Sequence, residues 1–354
     1  MTVVITVVVF LVVLAIIIIV HELGHFGTAK AFGIKVEEFG VGFPPRLLSF
    51  TRGETRYSLN AVPLGGFTKL AGEEDPEVPR SLAGRSKGVR ILVLGAGSLM
   101  NALLPILLLS VAFMIPYDVV VGEVFIAEVR PDSPAYQAGI EVGDVIVSID
   151  NREIRSISDL QSSIQLNLGK EITVGIRHSD MTTEEVWLVP RWRASPEEGA
   201  IGVLGMIKNP KIIRESYPFW QAVPMGFTEC LETYVRFKNV MQQLLIGAIE
   251  PQITGPVGIA QVTGEIAQYG IVPLLQWSAF LSMNLAVLNL FPIPGLDGGR
   301  IVFVLLEWVR GGRRITPKTE GLVHMIGFAL LLAVVVYFTY FDILRIISGE
   351  SLLP

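Results

Sequence analysis

Long apolar runs alternate with more polar segments along the chain, and they are concentrated towards its two ends. The first run, residues 3–20, is interrupted only by Thr6 and approaches the roughly 20 residues that a membrane-spanning helix requires. Three further runs reach a comparable length. The pattern therefore predicts a polytopic α-helical membrane protein with four transmembrane helices, at about residues 3–25, 89–115, 271–292 and 321–344.

The composition supports this interpretation and excludes other classes of protein. Of the 354 residues, 51% are hydrophobic and 17% are charged, whereas a soluble domain carries about a quarter charged residues. The net charge of −5 excludes a strongly basic nucleic-acid-binding protein, so the expected partner is the lipid bilayer and not nucleic acid. Cys230 is the sole cysteine, which excludes an intrachain disulfide and a zinc site built from cysteines.

The distribution of Lys and Arg predicts the orientation in the membrane. Basic residues are frequent between the first two spans and in the short connection between the last two, so both connections are expected in the cytoplasm. Both termini and residues 117–270 are then expected outside, because long domains translocate regardless of their charge. No basic residue precedes the first apolar run, and we therefore expect this run to be retained and not removed as a signal peptide.

The more polar segments divide the chain into domains. Residues 1–116 form an N-terminal membrane part, which includes a cytoplasmic β-loop region at about 36–70, and residues 271–354 form a C-terminal membrane part. Between them, residues 117–195 contain several short strand patterns and a helix signature, which predicts a small α+β domain. Residues 196–270 are assigned to a linker or scaffold segment outside the membrane.

His21-Glu22-Leu23-Gly24-His25, at the end of the first apolar run, is the most specific motif in the chain. On a helix, residues four apart share a face, so both imidazoles can bind one ion while Glu22 acts on a water beside it. Two histidines and a carboxylate with one open position form a catalytic zinc site. Polar groups on a membrane span are costly unless they are paired or metal-bound. This favours a motif that binds one Zn²⁺ ion over the alternative, a helix end whose histidines lie among lipid headgroups.

The third zinc ligand must come from elsewhere in the chain. An extended metzincin motif would place another histidine six residues after His25, but that position is Ala31. His178 is expected on the surface of the small α+β domain, and His324 is expected at the membrane interface. Asp297 follows the proline-broken end of the third span, where irregular backbone must be buried in protein or line a cavity, and it is the leading candidate. The alternative is a plain cytoplasmic turn that closes the helix.

The His-Glu-x-x-His motif in a span, the downstream Leu296-Asp297-Gly298 and the domain between the spans resemble the site-two protease family of intramembrane zinc metalloproteases. The resemblance is closest to bacterial proteases of the regulator-of-sigma-E type with a single PDZ domain, and it covers essentially the whole chain. It implies that His21, His25 and Asp297 bind the zinc ion and that Glu22 is the catalytic acid and base.

The same resemblance implies a set of residues for active-site organisation and substrate binding: Asn284, Asn289, Pro292, Gly65, Gly66 and Phe67. For the first three, interhelical hydrogen bonds and helix termination are alternative explanations. The last three belong to a short alternating stretch that is typical of a hairpin. In the family this would be a membrane-associated β-hairpin or β-loop that pairs with an extended substrate by β-augmentation. An ordinary surface hairpin is the alternative.

Residues 133–140 and 143–146 resemble the permuted PDZ domains common in bacterial proteases, so the domain at 117–195 is expected to be PDZ-like and inserted between the membrane parts. It would bind a peptide or a carboxyl terminus, or act as a size filter. Val121-Gly122-Glu123-Val124 is a poor match to the usual carboxylate-binding loop. A further departure from the family is Ser98, where relatives often have proline.

These features predict a zinc endopeptidase in the bacterial inner (plasma) membrane, which cleaves the transmembrane segment of a membrane protein. The PDZ-like domain would lie outside and the zinc site near the cytoplasmic side. The resemblance implies an anti-sigma factor or a signal-peptide remnant as substrate. Two alternatives remain open: a membrane-anchored zinc protease of soluble polypeptides, and a non-enzymatic membrane adaptor that presents the PDZ-like domain.

Overall fold

The computed structural model describes residues 3–194, 198–251 and 253–348. They form helices α1 to α9, in chain order Val3–Ala31, Lys87–Met114, Pro134–Gln137, Ile157–Leu166, Phe219–Leu245, Pro256–Ala267, Ile271–Leu290, Asp297–Val309 and Pro317–Ser348. They also form strands β1 to β8, in chain order Val36–Arg52, Thr55–Leu70, Tyr117–Val129, Val145–Ile149, Arg152–Glu153, Ile172–Arg177, Thr183–Leu188 and Val203–Glu215.

The chain divides into two compact units. The membrane unit comprises Met1–Ala112 and Ile253–Pro354, and the PDZ-like unit comprises Phe113–Gln252. The structure differs here from the predicted linker at 196–270: β8 and α5 belong to the PDZ-like unit, and α6 belongs to the membrane unit. The predicted boundary at residues 195–196 lies outside the described residues, as do residues 349–354.

Among the described residues of the membrane unit, four helices are long and apolar enough to cross a membrane, as the apolar runs predict: α1, α2, α7 and α9. Helix α1 continues past the predicted end at residue 25 because neither proline nor a positive φ interrupts it before Gly33. Gly33 has a φ of 67°, a conformation that favours glycine and commonly follows the end of a helix. The His-Glu-x-x-His motif is therefore helical throughout and not part of a loop.

Helices α1, α2 and α7 pack closely around small residues. A β-carbon at Gly24 of α1 would lie 2.4 Å from the carbonyl oxygen of Ala96 in α2. Pro105 lies inside α2 and has no N–H, so the carbonyl of Asn101 loses its helical donor. Ser282 Oγ of α7 donates a 2.9 Å hydrogen bond to that carbonyl. The proline therefore creates a fixed contact between two spans.

Helices α6 and α9 are joined by a buried carboxylate. Asp342 of α9 is 1% exposed and accepts hydrogen bonds from the backbone N–H groups of Gly255 (3.3 Å) and Gly258 (2.7 Å), at the start of α6. Arg345 also donates to Asp342, at 3.0 Å. The first N–H groups of a helix have no partner within the helix and favour a negative charge, so Asp342 stabilises the start of α6.

Strands β1 and β2 form an antiparallel sheet that contacts α1. The first half of β1 pairs with both halves of β2. Phe39, for example, is opposite Thr68 on one side and Tyr57 on the other. No described strand pairs with the other side of residues 66–70, so this segment is an edge of the sheet. The far half of β1 carries exposed apolar side chains, including Leu48 and Phe50.

The PDZ-like unit contains a sheet with the strand order β7-β6-β4-β3-β8, and β5 pairs with β4. Its core consists of alternating apolar residues of these strands together with α3 and α4, among them Ile126, Ile146, Leu160 and Val174. Val121-Gly122-Glu123-Val124 lies inside β3, which pairs with β4 on one side and β8 on the other. Val121 and Glu123 pair with β8 alone, and Val124 pairs with both neighbours, so this segment is part of a strand and not a separate loop. Strands β7 and β8 are the two ends of this order.

Candidate metal centre

Three side chains from the two ends of the chain meet in the membrane unit. His21 and His25 lie one turn apart on α1, and Asp297 is the first residue of α8. The two histidine Nε2 atoms are 3.2 Å apart. Oδ2 of Asp297 lies 3.2 Å from Nε2 of His21 and 3.3 Å from Nε2 of His25. This oxygen is buried and accepts no hydrogen bond from the described residues.

The triangle formed by these three atoms fits a single tetrahedral ion. Zinc bonds to nitrogen and oxygen of about 2.0–2.1 Å, at tetrahedral angles, place ligand atoms about 3.3–3.4 Å apart. The observed separations of 3.2, 3.2 and 3.3 Å are close to this value. Two imidazoles and a carboxylate leave one of four positions open, and a cation between them accounts for the unpartnered Asp297 oxygen. The residues present therefore fit zinc.

The chain between α7 and α8 is shaped to present Asp297. Gly295 has a φ of 100°, which favours glycine, and its N–H donates a 3.0 Å hydrogen bond to Nδ1 of His324 on α9. A β-carbon at Gly298 would lie 2.2 Å from the carbonyl oxygen of Phe291. Glycine therefore allows the connecting loop to pack on the first turn of α8. His324, expected at the membrane interface, is a partner of this loop.

One face of helix α2 contacts both imidazoles. The carbonyl oxygen of Val93 lies 2.8 Å from Nδ1 of His25, which holds the proton on Nδ1 and leaves Nε2 free for an ion. Nδ2 of Asn101 lies 3.4 Å from Nδ1 of His21. Between these contacts is Gly97, where a β-carbon would lie 2.3 Å from His25 Nε2 and 2.7 Å from His21 Nε2. The site therefore depends on the absence of a side chain at position 97.

The edge segment of β2 lies against Glu22. Oγ1 of Thr68 donates a 3.1 Å hydrogen bond to the carbonyl oxygen of Glu22. A β-carbon at Gly66 would lie 3.1 Å from Cγ of Glu22 and 2.9 Å from Cγ2 of Ile18. Glu22 itself is only half-buried. The sheet edge and Glu22 are thus neighbours, and the Glu22 side chain is partly exposed.

The neighbours of Gly66 have contacts within the sheet. The ring of Phe43 packs on Gly65, where a β-carbon would lie 2.3 Å from it. The ring of Phe67 packs on Gly40, where a β-carbon would lie 2.5 Å away. Phe67 therefore has a packing role in the sheet, and of the three residues predicted for substrate contact in this segment it is Gly66 that lies beside Glu22.

The structure describes different contacts for the three residues predicted at the end of α7. Nδ2 of Asn284 donates a 2.8 Å hydrogen bond to the carbonyl of Phe280 in its own helix. Asn289 is half-buried and Pro292 is exposed. Within residues 3–194, 198–251 and 253–348, no hydrogen bond joins these three residues to the metal-ligand candidates.

His178 lies in the PDZ-like unit at the end of β6. Its Nδ1 is 2.8 Å from Asp144 and its Nε2 is 3.4 Å from Glu184. The Asp144 hydrogen bond, followed by that of Glu184, raises the pKa of His178 above its usual value. The histidine is partly exposed, as expected, but it is held between two carboxylates.

Sequence reasoning missed the contribution of α2 to the site. Neither Gly97 nor Asn101 is among the site residues predicted from the sequence. Both lie on the α2 face that contacts the histidines. A polar residue in an apolar span was an available signal for Asn101. The carbonyl of Val93 has no signal in the sequence, because every residue carries the same backbone group.

The chain matches known proteins over most of its length. Residues 9–334 match the model of peptidase family M50. A relative from Clostridium perfringens is 35% identical over 332 residues, covering 92% of this chain and 95% of its own length. The zinc metalloprotease RasP of Oceanobacillus iheyensis is 29% identical over 430 residues, covering 96% of this chain and 99% of its own length.

A solved PDZ domain of the SdrC-like protein of Listeria innocua matches 25% of this chain and 97% of that domain, at 23% identity and a TM-score of 0.21. The PDZ-like description of residues 113–252 rests on their strand order and not on this weak match. The family match, in contrast, extends across both parts of the membrane unit and the unit between them. The expected class, a membrane zinc metalloprotease of the site-two type, is confirmed at the level of the family. The chain belongs to peptidase family M50.

Proposed function

We propose that this protein is a zinc endopeptidase that cleaves the transmembrane segment of a membrane protein, within or near the bilayer. His21, His25 and Asp297 would hold the ion. The observation that carries this assignment is the triangle of ligand atoms with sides of 3.2–3.3 Å, formed on helices of a membrane unit with four apolar spans. Leaving Asp297 Oδ2 buried without a partner would be costly in the absence of a cation.

When bound, zinc supplies Lewis acidity, which activates water and polarises a carbonyl group. Glu22 follows His21 in the helix and is half-buried, so its carboxylate can accept a proton from the attacking water. It would then donate that proton to the leaving nitrogen of the cleaved bond. The hydrogen bond from Thr68 is made to the backbone carbonyl of Glu22. It therefore fixes the Glu22 backbone without engaging the Glu22 carboxylate.

A substrate helix must unwind before it is cut, because its carbonyl groups are engaged in internal hydrogen bonds. Residues 66–70 of β2 offer an unpaired edge beside Glu22, where an extended substrate strand could add by β-augmentation. In this arrangement Gly66 provides the close approach, and Gly65 and Phe67 shape the edge. Asn284, Asn289 and Pro292 would act on the substrate from the end of α7.

The PDZ-like unit would bind a peptide or carboxyl terminus at the outer side of β8. This strand is an edge of the sheet, and a β-carbon at Gly205 would lie 3.2 Å from Leu160 of α4, so α4 packs beside that edge. We further propose a plasma-membrane location with this unit and both termini outside and the zinc site near the cytoplasmic side. An anti-sigma factor or a signal-peptide remnant would be the substrate.

The decisive experiment uses full-length protein in lipid vesicles, with a membrane-embedded reporter and a soluble polypeptide such as casein as substrates. We expect cleavage of the reporter alone, and bound zinc in the wild type that is lost in Asp297→Ala. Cleavage of casein without a need for embedded substrate would favour a membrane-anchored protease of soluble proteins. A wild-type chain without zinc and without activity would favour the non-enzymatic adaptor.

A further inference from the structure

Three positions on one face of α2 contact the two histidines. Val93, Gly97 and Asn101 are spaced by four residues, so they follow one another along the same side of the helix. Val93 contacts His25 through its carbonyl group, and Gly97 leaves space for both rings. The third position, Asn101, contacts His21 through its side chain.

The bound form of His21 requires a hydrogen-bond acceptor at Nδ1. Its Nε2 atom faces Asp297 and His25, so Nε2 is the nitrogen that would bind the ion. A neutral imidazole that binds a metal through one nitrogen carries its proton on the other. Nδ1 of His21 is then a hydrogen-bond donor. The side-chain amide of Asn101 lies beside it, with Nδ2 at 3.4 Å from Nδ1.

The Asn101 side chain is positioned to supply this acceptor. The residue is fully buried, at 0% exposure, and its Oδ1 atom has no hydrogen-bond partner among the described residues. The orientation of an amide is fixed by its hydrogen bonds, and turning this one by half a turn brings Oδ1 to His21 Nδ1. The Asn101 backbone is held independently by Ser282, so the side chain starts from a fixed position.

We infer that Asn101 is a positioning residue whose Oδ1 accepts a hydrogen bond from the Nδ1–H of His21 and thereby presents Nε2 to zinc. This inference rests on the proposed zinc site. Partners of this kind, which hold a ligand without touching the ion, typically contribute about 10–100-fold to metal affinity. The Asn101 side chain would accept a hydrogen bond from Nδ1 of His21, as the carbonyl of Val93 does from Nδ1 of His25.

The test measures zinc affinity by chelator competition in full-length protein. Asn101→Leu keeps a similar volume without an acceptor, and we expect its affinity to fall about 10–100-fold. Asn101→Asp restores an acceptor, and we expect its affinity to stay within about threefold of the wild type. Ser98→Ala is the control, because Ser98 is equally buried on α2 and its hydroxyl has no described partner. Its affinity should not change.

A spectroscopic measurement separates this role from simple packing. The chain has four histidines, so ¹⁵N-histidine labelling gives few signals, and zinc-loaded wild type should show a slowly exchanging Nδ1 proton for His21. That proton signal should be lost in Asn101→Leu and kept in Asn101→Asp. Wild-type affinity in Asn101→Leu, or equal losses in both variants, would overturn the role of Asn101. A wild-type protein that binds no zinc would instead overturn the proposed function.

Discussion

Gly97 lies so close to His25 that a β-carbon at position 97 would come within 2.3 Å of the histidine Nε2 atom. Gly97→Ala should therefore displace both imidazoles and weaken zinc binding by about 100-fold or more, since metal ligands tolerate little movement. Chelator competition measures this change. Gly95→Ala is the matched control on the same helix, because its β-carbon would have its nearest contact at 3.8 Å. Unchanged zinc affinity in Gly97→Ala would contradict the assigned geometry.

Gly66 brings the β2 edge against Glu22, where a β-carbon would lie 3.1 Å from Cγ of the glutamate. Gly66→Ala should displace the edge or the carboxylate, so reporter cleavage should fall about 10-fold or more while zinc binding persists. Cleavage kinetics and zinc content, measured on the same preparation, check this. Gly27→Ala on α1 has open space around its β-carbon and should behave as the wild type. Full activity in Gly66→Ala would argue against substrate pairing at this edge.

The His178 contacts predict a pH dependence for the PDZ-like unit. Its pKa is raised in the folded state, chiefly by the hydrogen bond with Asp144 and then by that with Glu184. The resulting stabilisation is complete below the unfolded pKa, near 6.5, and is lost as the pH rises through the folded pKa. For residues 113–252 produced alone, the melting temperature of the wild type should exceed that of His178→Gln at pH 5.5 and approach it at alkaline pH. A difference independent of pH would refute this assignment.

Asp342 stabilises the start of α6 through two backbone N–H groups and is paired with Arg345. Asp342→Ala should reduce the stability of the full-length protein by about 3 kcal/mol or more, because it leaves those donors and a partly buried guanidinium without the carboxylate. Thermal unfolding in detergent checks this. Ser348→Ala removes an exposed hydrogen bond to the Arg345 carbonyl and should have little effect. Equal melting temperatures for Asp342→Ala and the wild type would contradict the role of Asp342.

The sequence contained enough information for the spans and the three metal-ligand candidates. The spans follow from uninterrupted apolar runs, and His21 and His25 stand out because polar residues are rare there. Asp297 could be found only by its position after a broken span. The role of the glycines around Asp297 could be assigned only from the structure. Gly298, for example, is required because a β-carbon there would clash with the carbonyl oxygen of Phe291, a contact that the local sequence does not reveal.

Other features could not be predicted because they depend on partners distant in the chain. The double pairing of β1 with the two halves of β2 follows from tertiary register, which alternation alone does not fix. Strand β8 was assigned to a linker, although its burial alternates in its first half, because Gly205 and Pro210 interrupt its apolar pattern. The contact between Val93 and His25 involves a backbone carbonyl and leaves no trace in the sequence.

The central claim, that zinc held by His21, His25 and Asp297 works with Glu22 in cutting a membrane-embedded peptide bond, is tested most directly by Glu22→Gln. Wild type and variant are placed in lipid vesicles with a transmembrane reporter, and zinc content and cleavage rate are measured on the same samples. We predict equal zinc in both and a cleavage rate lower by about 10²–10⁴-fold in the variant, the usual contribution of a general acid and base. Cleavage by zinc-loaded Glu22→Gln at the wild-type rate would contradict the account.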